Sequence, residues 1–176
     1  TPCGTLFPYT TLFRSVVIVE STGHSEVLKS QTATEEEKIK NCGKGYFFRK
    51  AWQEYGGECV VTETRGAAQS NHLVEPDVMK SALTARKPAT AVYGTRDLEA
   101  WSSSKFISAE LPELLADIEF IGWGNTPWSY LSSSPISTID WNTQELVEIV
   151  GGIIQAESNG EPADAENRIS QVKPKL

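Results

Sequence analysis

Histidine is nearly missing from this sequence: His24 and His72 are the only two in 176 residues. With so few imidazoles, metal centres and acid–base catalysis built on histidine have little material. Cysteine is sparse and odd in number, with Cys3, Cys42 and Cys59 at irregular spacing and no CxxC pair. That excludes a disulfide framework and a zinc ribbon, and reads as free thiols in a reducing compartment, the cytoplasm. No apolar run reaches the roughly 18 residues of a membrane span, so no membrane partner is expected. Positive charge is in the minority: 16 Lys and Arg against 23 Asp and Glu leave a net charge of −7. So acidic a chain has no general attraction for nucleic-acid phosphates.

What is present is material for one domain of ordinary size. Thr5 to Ser15, TLFPYTTLFRS, resembles the direct translation of a widely used sequencing adapter. Residues 1–15 are therefore set aside from fold reasoning as a non-native segment. The native sequence is expected to begin near Val16, with its earlier part lost.

From there strands and helices alternate. Val16-Val17-Ile18-Val19 is wholly apolar and β-branched, the pattern of a strand covered on both faces. Ser21 to Thr32 reads as a polar loop. Thr34 and Glu37 have capping-box spacing, and Glu35 and Glu36 add negative charge to the first turn. The predicted helix runs to Tyr55 and stops at Gly56-Gly57, with Phe48, Ala51, Trp52 and Tyr55 on its inward face. Gly43 and Gly45 inside it point to close packing or a late helix start. Further strands are expected at Cys59–Thr62, Thr90–Tyr93, Ile118–Gly122 and Ile136–Ile139. Helices are expected over residues 75–85, with Val78, Met79 and Leu83 inward, and 143–157, with weak helical character over 96–110. Asn159-Gly160-Glu161-Pro162 ends the last helix, and a final strand is expected around residues 168–172. This alternation implies an α/β fold with a mainly parallel sheet and flanking helices.

The familiar catalytic motifs fail on their spacing. Gly122-Trp123-Gly124 lacks the third glycine of a dinucleotide fingerprint, and no helix opens directly on it. Gly43-Lys44-Gly45 lacks the upstream glycine and following Ser or Thr of a phosphate loop, and no GxSxG elbow occurs. Asp97 and Glu99 follow a strand, where an α/β enzyme could place a catalytic carboxylate; helix-start capping is the plainer reading. No cofactor is called for.

Four segments in order carry a resemblance: Lys44–Gly56 (KGYFFRKAWQEYG), Thr90–Asp97 (TAVYGTRD), Ile121–Trp128 (IGWGNTPW) and Leu131–Ile139 (LSSSPISTI). Together with the tail ISQVKPKL, they resemble the effector-binding domain of lac-repressor-type transcriptional regulators, a periplasmic-binding-protein-like type I fold. The resemblance covers about residues 16–176. It implies a sugar or sugar-derived effector held between two lobes, a homodimer in the full-length protein, and no enzymatic activity. Operator DNA would be met only through an N-terminal head preceding the counterpart of Val16. Residues 16–176 would then be the C-terminal lobe, the crossover strands and the helix over 143–157. That helix presents Leu146, Val147, Val150, Ile153 and Ile154 on a face expected to remain partly uncovered. A periplasmic sugar-binding protein of a transporter is the alternative within the same fold; an α/β enzyme using Asp97 or Glu99 is the alternative outside it.

The resemblance assigns the ligand-binding positions to Lys44, Arg96, Asp97, Trp123 and Asn125. Lys44 stands for an arginine and keeps its charge without the planar fork. Arg96 stands for an asparagine, Asp97 is retained, Trp123 takes an aromatic position and Asn125 a polar one. Gly124 stands where the family presents a carboxylate. Losing that carboxylate and gaining Arg96 tilts the expected effector towards an acidic or phosphorylated sugar.

Overall fold

The computed structural model describes residues 15–21, 24–64 and 74–160. The adapter-like stretch before Ser15, His72 and the strand expected around residues 168–172 lie outside the described residues. Five strands form the sheet: β1 (Ser15–Glu20), β2 (Glu58–Glu63), β3 (Ala91–Gly94), β4 (Glu119–Trp123) and β5 (Ile136–Ile139). Their order is β2-β1-β3-β4-β5, and every pairing is parallel. Among the described residues six helices accompany them: α1 (His24–Lys29), α2 (Glu35–Glu54), α3 (Pro76–Leu83), α4 (Asp97–Glu110), α5 (Pro127–Tyr130) and α6 (Thr143–Ser158). A 3₁₀ turn at Pro112–Asp117 leads into β4.

The apolar run at residues 16–19 is β1, in the interior of the sheet, and alternation along it divides the core in two. Val17 and Val19 pack with Met79, Leu83, Val92, Phe106, Ile107 and Phe120 on one face. Val16 and Ile18 pack with Leu28, Val61, Ala91 and Tyr93 on the other, against Phe48 and Trp52 of α2. Tyr93 stacks on Phe48 at 3.9 Å between ring centroids. Because both faces carry helices, β1 has no polar side, which is why its sequence does not alternate.

Four details differ from the sequence expectation. The loop over residues 21–32 contains α1, which docks through buried Leu28. The capping box at Thr34 and Glu37 forms as expected, but α2 is broken at Cys42, whose backbone (φ −142°, ψ 38°) is not helical. Beyond the break Phe48 and Trp52 face the sheet as expected, while Ala51 and Tyr55 are exposed, so the buried stripe is narrower than expected. Residues 97–110 form a regular helix whose inward face includes Ser102, Ser103 and Ser104. Their hydroxyls donate to the carbonyls of Leu98, Glu99 and Trp101, so burial leaves no hydroxyl unpaired.

On α6, Leu146, Val147, Val150, Ile153 and Ile154 are all exposed. Among the described residues no helix is long and apolar enough to cross a membrane.

Candidate functional site

The sheet order reverses direction at β1: the chain goes to one side for β2 and to the other for β3, β4 and β5. In parallel α/β sheets the crevice at the carboxyl ends of the strands flanking such a reversal is where ligands bind. A cavity of about 240 Å³ lies there, between the end of β1 (Glu20, Ser21) and the residues after β3 (Thr95, Arg96). His24 of α1 and the Asn41–Lys44 stretch around the α2 break complete its lining.

Two of the five expected positions, Lys44 and Arg96, line this cavity. Lys44 donates from Nζ to the Thr95 carbonyl at 3.0 Å and lies 4.7 Å from the Trp141 ring centroid and 5.5 Å from that of Trp123. Burial pushes its ammonium below the ordinary lysine range; attraction from Glu99 acts against this. Arg96 is the residue before α4, and its guanidinium donates to Glu99 Oε1 through Nε at 2.8 Å and through a terminal nitrogen. The hydrogen bond to Glu99 raises Arg96 above its ordinary range, so both cations are already engaged within the chain.

The other three positions hold the loops that frame the site. Asp97 is completely buried. Its Oδ1 accepts from the Thr138 hydroxyl at 2.6 Å, and its Oδ2 from the Thr126 backbone N–H at 2.6 Å and hydroxyl at 2.9 Å. It thereby ties α4 to the loop after β4 and to β5, and caps no helix. Asn125 adopts φ 50° and organises its turn, donating to Asp140 at 2.9 Å and accepting from the Tyr130 hydroxyl. Trp123 packs edge-on against Trp141 at 5.1 Å, beside the Lys44 ammonium. Trp128 instead packs on Trp101 at 4.8 Å.

Gly124 has φ +121°, a backbone conformation that side chains rarely adopt, and its Cβ position lies 3.2 Å from Thr126 Cγ2. The carboxylate that the resemblance assigns to this position would therefore be strained here. Restoring it with Gly124→Asp is expected to cost about 1–3 kcal/mol of stability, read as a lower urea midpoint at unchanged m-value. An unchanged midpoint would mean that an aspartate fits this loop.

Sequence reasoning missed Glu20, Trp141 and the threonine partners of Asp97. Glu20 is 2% exposed at the end of β1, and its Oε1 has no hydrogen-bond partner among the described residues. Gly45 is the reason it fits, since a Cβ there would stand 1.7 Å from Glu20 Oε1. The available signal was an acidic residue immediately after a run buried on both faces. Trp141, Thr126 and Thr138 carried no comparable signal. Among the described residues no group of three His, Cys, Asp or Glu could hold a metal ion. Cys42 and Cys59 are free thiols, raised by burial above the ordinary range.

Known structures share this architecture. A LacI family transcriptional regulator from Bifidobacterium animalis subsp. lactis DSM 10140 superposes with TM-score 0.60 at 16% identity, over 93% of this chain and 53% of that one. A periplasmic binding protein/LacI transcriptional regulator from Alkaliphilus metalliredigens QYMF, complexed with D-xylulofuranose, gives 0.58 at 15% identity, over 89% and 53%. A LacI family transcriptional regulator from Arthrobacter sp. FB24, in complex with lactose, gives 0.58 at 16% identity, over 90% and 53%. The chain spans about half the length of these proteins. No family model and no curated protein matches the sequence. The likeness shows the fold: a parallel α/β unit of the kind found in LacI-type regulators and periplasmic binding proteins.

Proposed function

We propose that this chain is the ligand-sensing and dimerisation part of a bacterial transcriptional regulator that acts in the cytoplasm and is not an enzyme. A small sugar or sugar derivative binds at the carboxyl ends of β1 and β3, and the full-length protein meets operator DNA through a separate head. The observation that carries this reading is the cavity at the strand-order reversal, with Lys44 and Arg96 on its wall. Two proteins of the same fold hold a sugar, which supports a sugar-like effector here. Against the enzymatic alternative, Asp97 is completely buried with both oxygens occupied, and Glu99 is completely buried with Oε1 held by Arg96 and Ser21.

An effector acts on such a regulator only through unequal affinity for its DNA-binding and released states. The first requirement is therefore binding, and thermal shift in the presence of neutral and amino monosaccharides and disaccharides tests it. A ligand at about a hundredfold excess over Kd is expected to stabilise the chain by roughly 2.7 kcal/mol. Absence of any shift across such a panel would sink the sensor reading. The coding sequence upstream separates regulator from transporter component: a helix-turn-helix supports the first, a secretion signal the second.

A further inference from the structure

We propose, building on the sensor reading, that Glu20 is an acceptor for the bound ligand and makes the cavity select a hydrogen-bond-donating, uncharged or cationic sugar over an anionic one. An amino sugar is the class that fits best.

The argument starts from what each charged group near the cavity already does. Lys44 is committed to the Thr95 carbonyl and to the faces of Trp123 and Trp141. Arg96 is committed to Glu99, which also accepts from the Ser21 hydroxyl at 3.3 Å. An arriving phosphate or carboxylate would share both cations with the protein acceptors they already serve. Glu20 differs: it lines the cavity, it is almost completely buried, and its Oε1 has no partner among the described residues. Buried carboxylate oxygens left without a donor are costly, so a ligand hydroxyl or ammonium that supplies one gains more than it would in water.

Glu20 also occupies the position an anion would want. The α2 break at Cys42 starts a new helical stretch at Gly43, and Glu20 Oε1 is packed against Gly45 in its first turn. Helix N-termini attract anions through their free N–H groups and dipole. Here the protein's own carboxylate stands at that end and repels a second negative charge. The expectation of an acidic effector rested on the carboxylate missing at Gly124 and on Arg96 as an added cation; Arg96 is engaged with Glu99, and Glu20 supplies the cavity with a carboxylate of its own. A site built around a buried acceptor discriminates strongly against a ligand without the matching donor.

The test is an NMR titration of the 176-residue chain with three probes: D-glucosamine, D-glucose and D-glucose 6-phosphate. The expected order is glucosamine tightest, glucose next, and glucose 6-phosphate weaker than glucosamine by about tenfold or more. Glu20→Gln keeps the shape and removes the charge, and it should erase most of that preference. Binding of glucose 6-phosphate as tight as that of glucosamine overturns the inference while leaving the sensor reading intact. An unchanged preference in Glu20→Gln does the same. Binding of none of the three fails both. Should Glu20→Gln not fold, the wild-type order alone decides.

Discussion

Asp97→Ala is expected to lower the stability of the chain by about 3–5 kcal/mol, a large share of the roughly 5–15 kcal/mol that a folded domain has. The carboxylate is completely buried and accepts hydrogen bonds from three donors on two other segments, all at 2.6–2.9 Å. Bonds to an ionised acceptor are among the strong ones, and removing it leaves the Thr126 N–H and two hydroxyls facing a cavity. The loss should appear in urea unfolding as a lower midpoint at unchanged slope. Asp97→Asn, which retains one acceptor oxygen, should lie between wild type and alanine. Thr138→Val combined with Asp97→Ala should cost much less than the sum of the single changes, because both remove the same bond. If Asp97→Ala leaves the midpoint in place, the clamp is not what holds the loop after β4, and a role in chemistry or ligand contact returns.

That clamp shows where sequence reading reached and where it stopped. The strands were legible because β-branched runs such as Val16–Val19 have few other destinations, and their thirty-residue spacing implied parallel pairing. α2 was announced by its capping box. The break at Cys42 is hinted at only by two nearby glycines, and of the inward stripe beyond it Phe48 and Trp52 pack on the sheet while Ala51 and Tyr55 do not. α4 looked weak because hydrophobic periodicity counts serine as an outward residue, whereas Ser102, Ser103 and Ser104 bury their hydroxyls on backbone carbonyls. The six residues of α1 contain one buried apolar side chain, Leu28, too little for any periodic signal.

The candidate site was legible in outline and not in its contacts. Lys44 and Arg96 are forty residues and more apart in sequence, yet both line the cavity where the strand order reverses. Asp97 at the start of α4, Trp123 at the end of β4 and Asn125 in the loop after it are instead engaged with Thr126 and Thr138, with Trp141, and with Asp140 and Tyr130. Which way a loop residue points depends on backbone angles such as φ at Gly124 and Asn125, which glycine and asparagine permit without specifying. Glu20 was overlooked because a lone acid at a strand end is normally solvated. Only the fold shows that it is covered and that Gly45 makes room for it.

Glu20 leads to the second large effect, a loss of stability as pH rises towards neutrality. Burial pushes its carboxyl up from 4.5 to about 7; a hydrogen bond with Thr95 acts against this, and repulsion from Glu99 adds to it. Lys44 opposes the shift as well, while Cys42 and Tyr93 are themselves raised in part by the Glu20 charge. An acid whose folded pKa exceeds its unfolded value binds more protons in the folded state between the two. Its favourable contribution is therefore complete below about 4.5 and disappears as pH climbs through about 7. The size follows from the width of the window, about 3 kcal/mol at most. Glu35 and Glu37, whose carboxyls are lowered by their hydrogen bonds, change stability in the opposite sense and below 4.5, outside this window. Chemical unfolding of wild type and Glu20→Gln between pH 4.5 and 8 isolates the effect: wild type should lose stability with rising pH relative to the variant, and the two curves should converge at the acid end. Parallel curves across that range would mean that Glu20 titrates as an ordinary surface acid, and that its burial at the end of β1 does not raise its carboxyl.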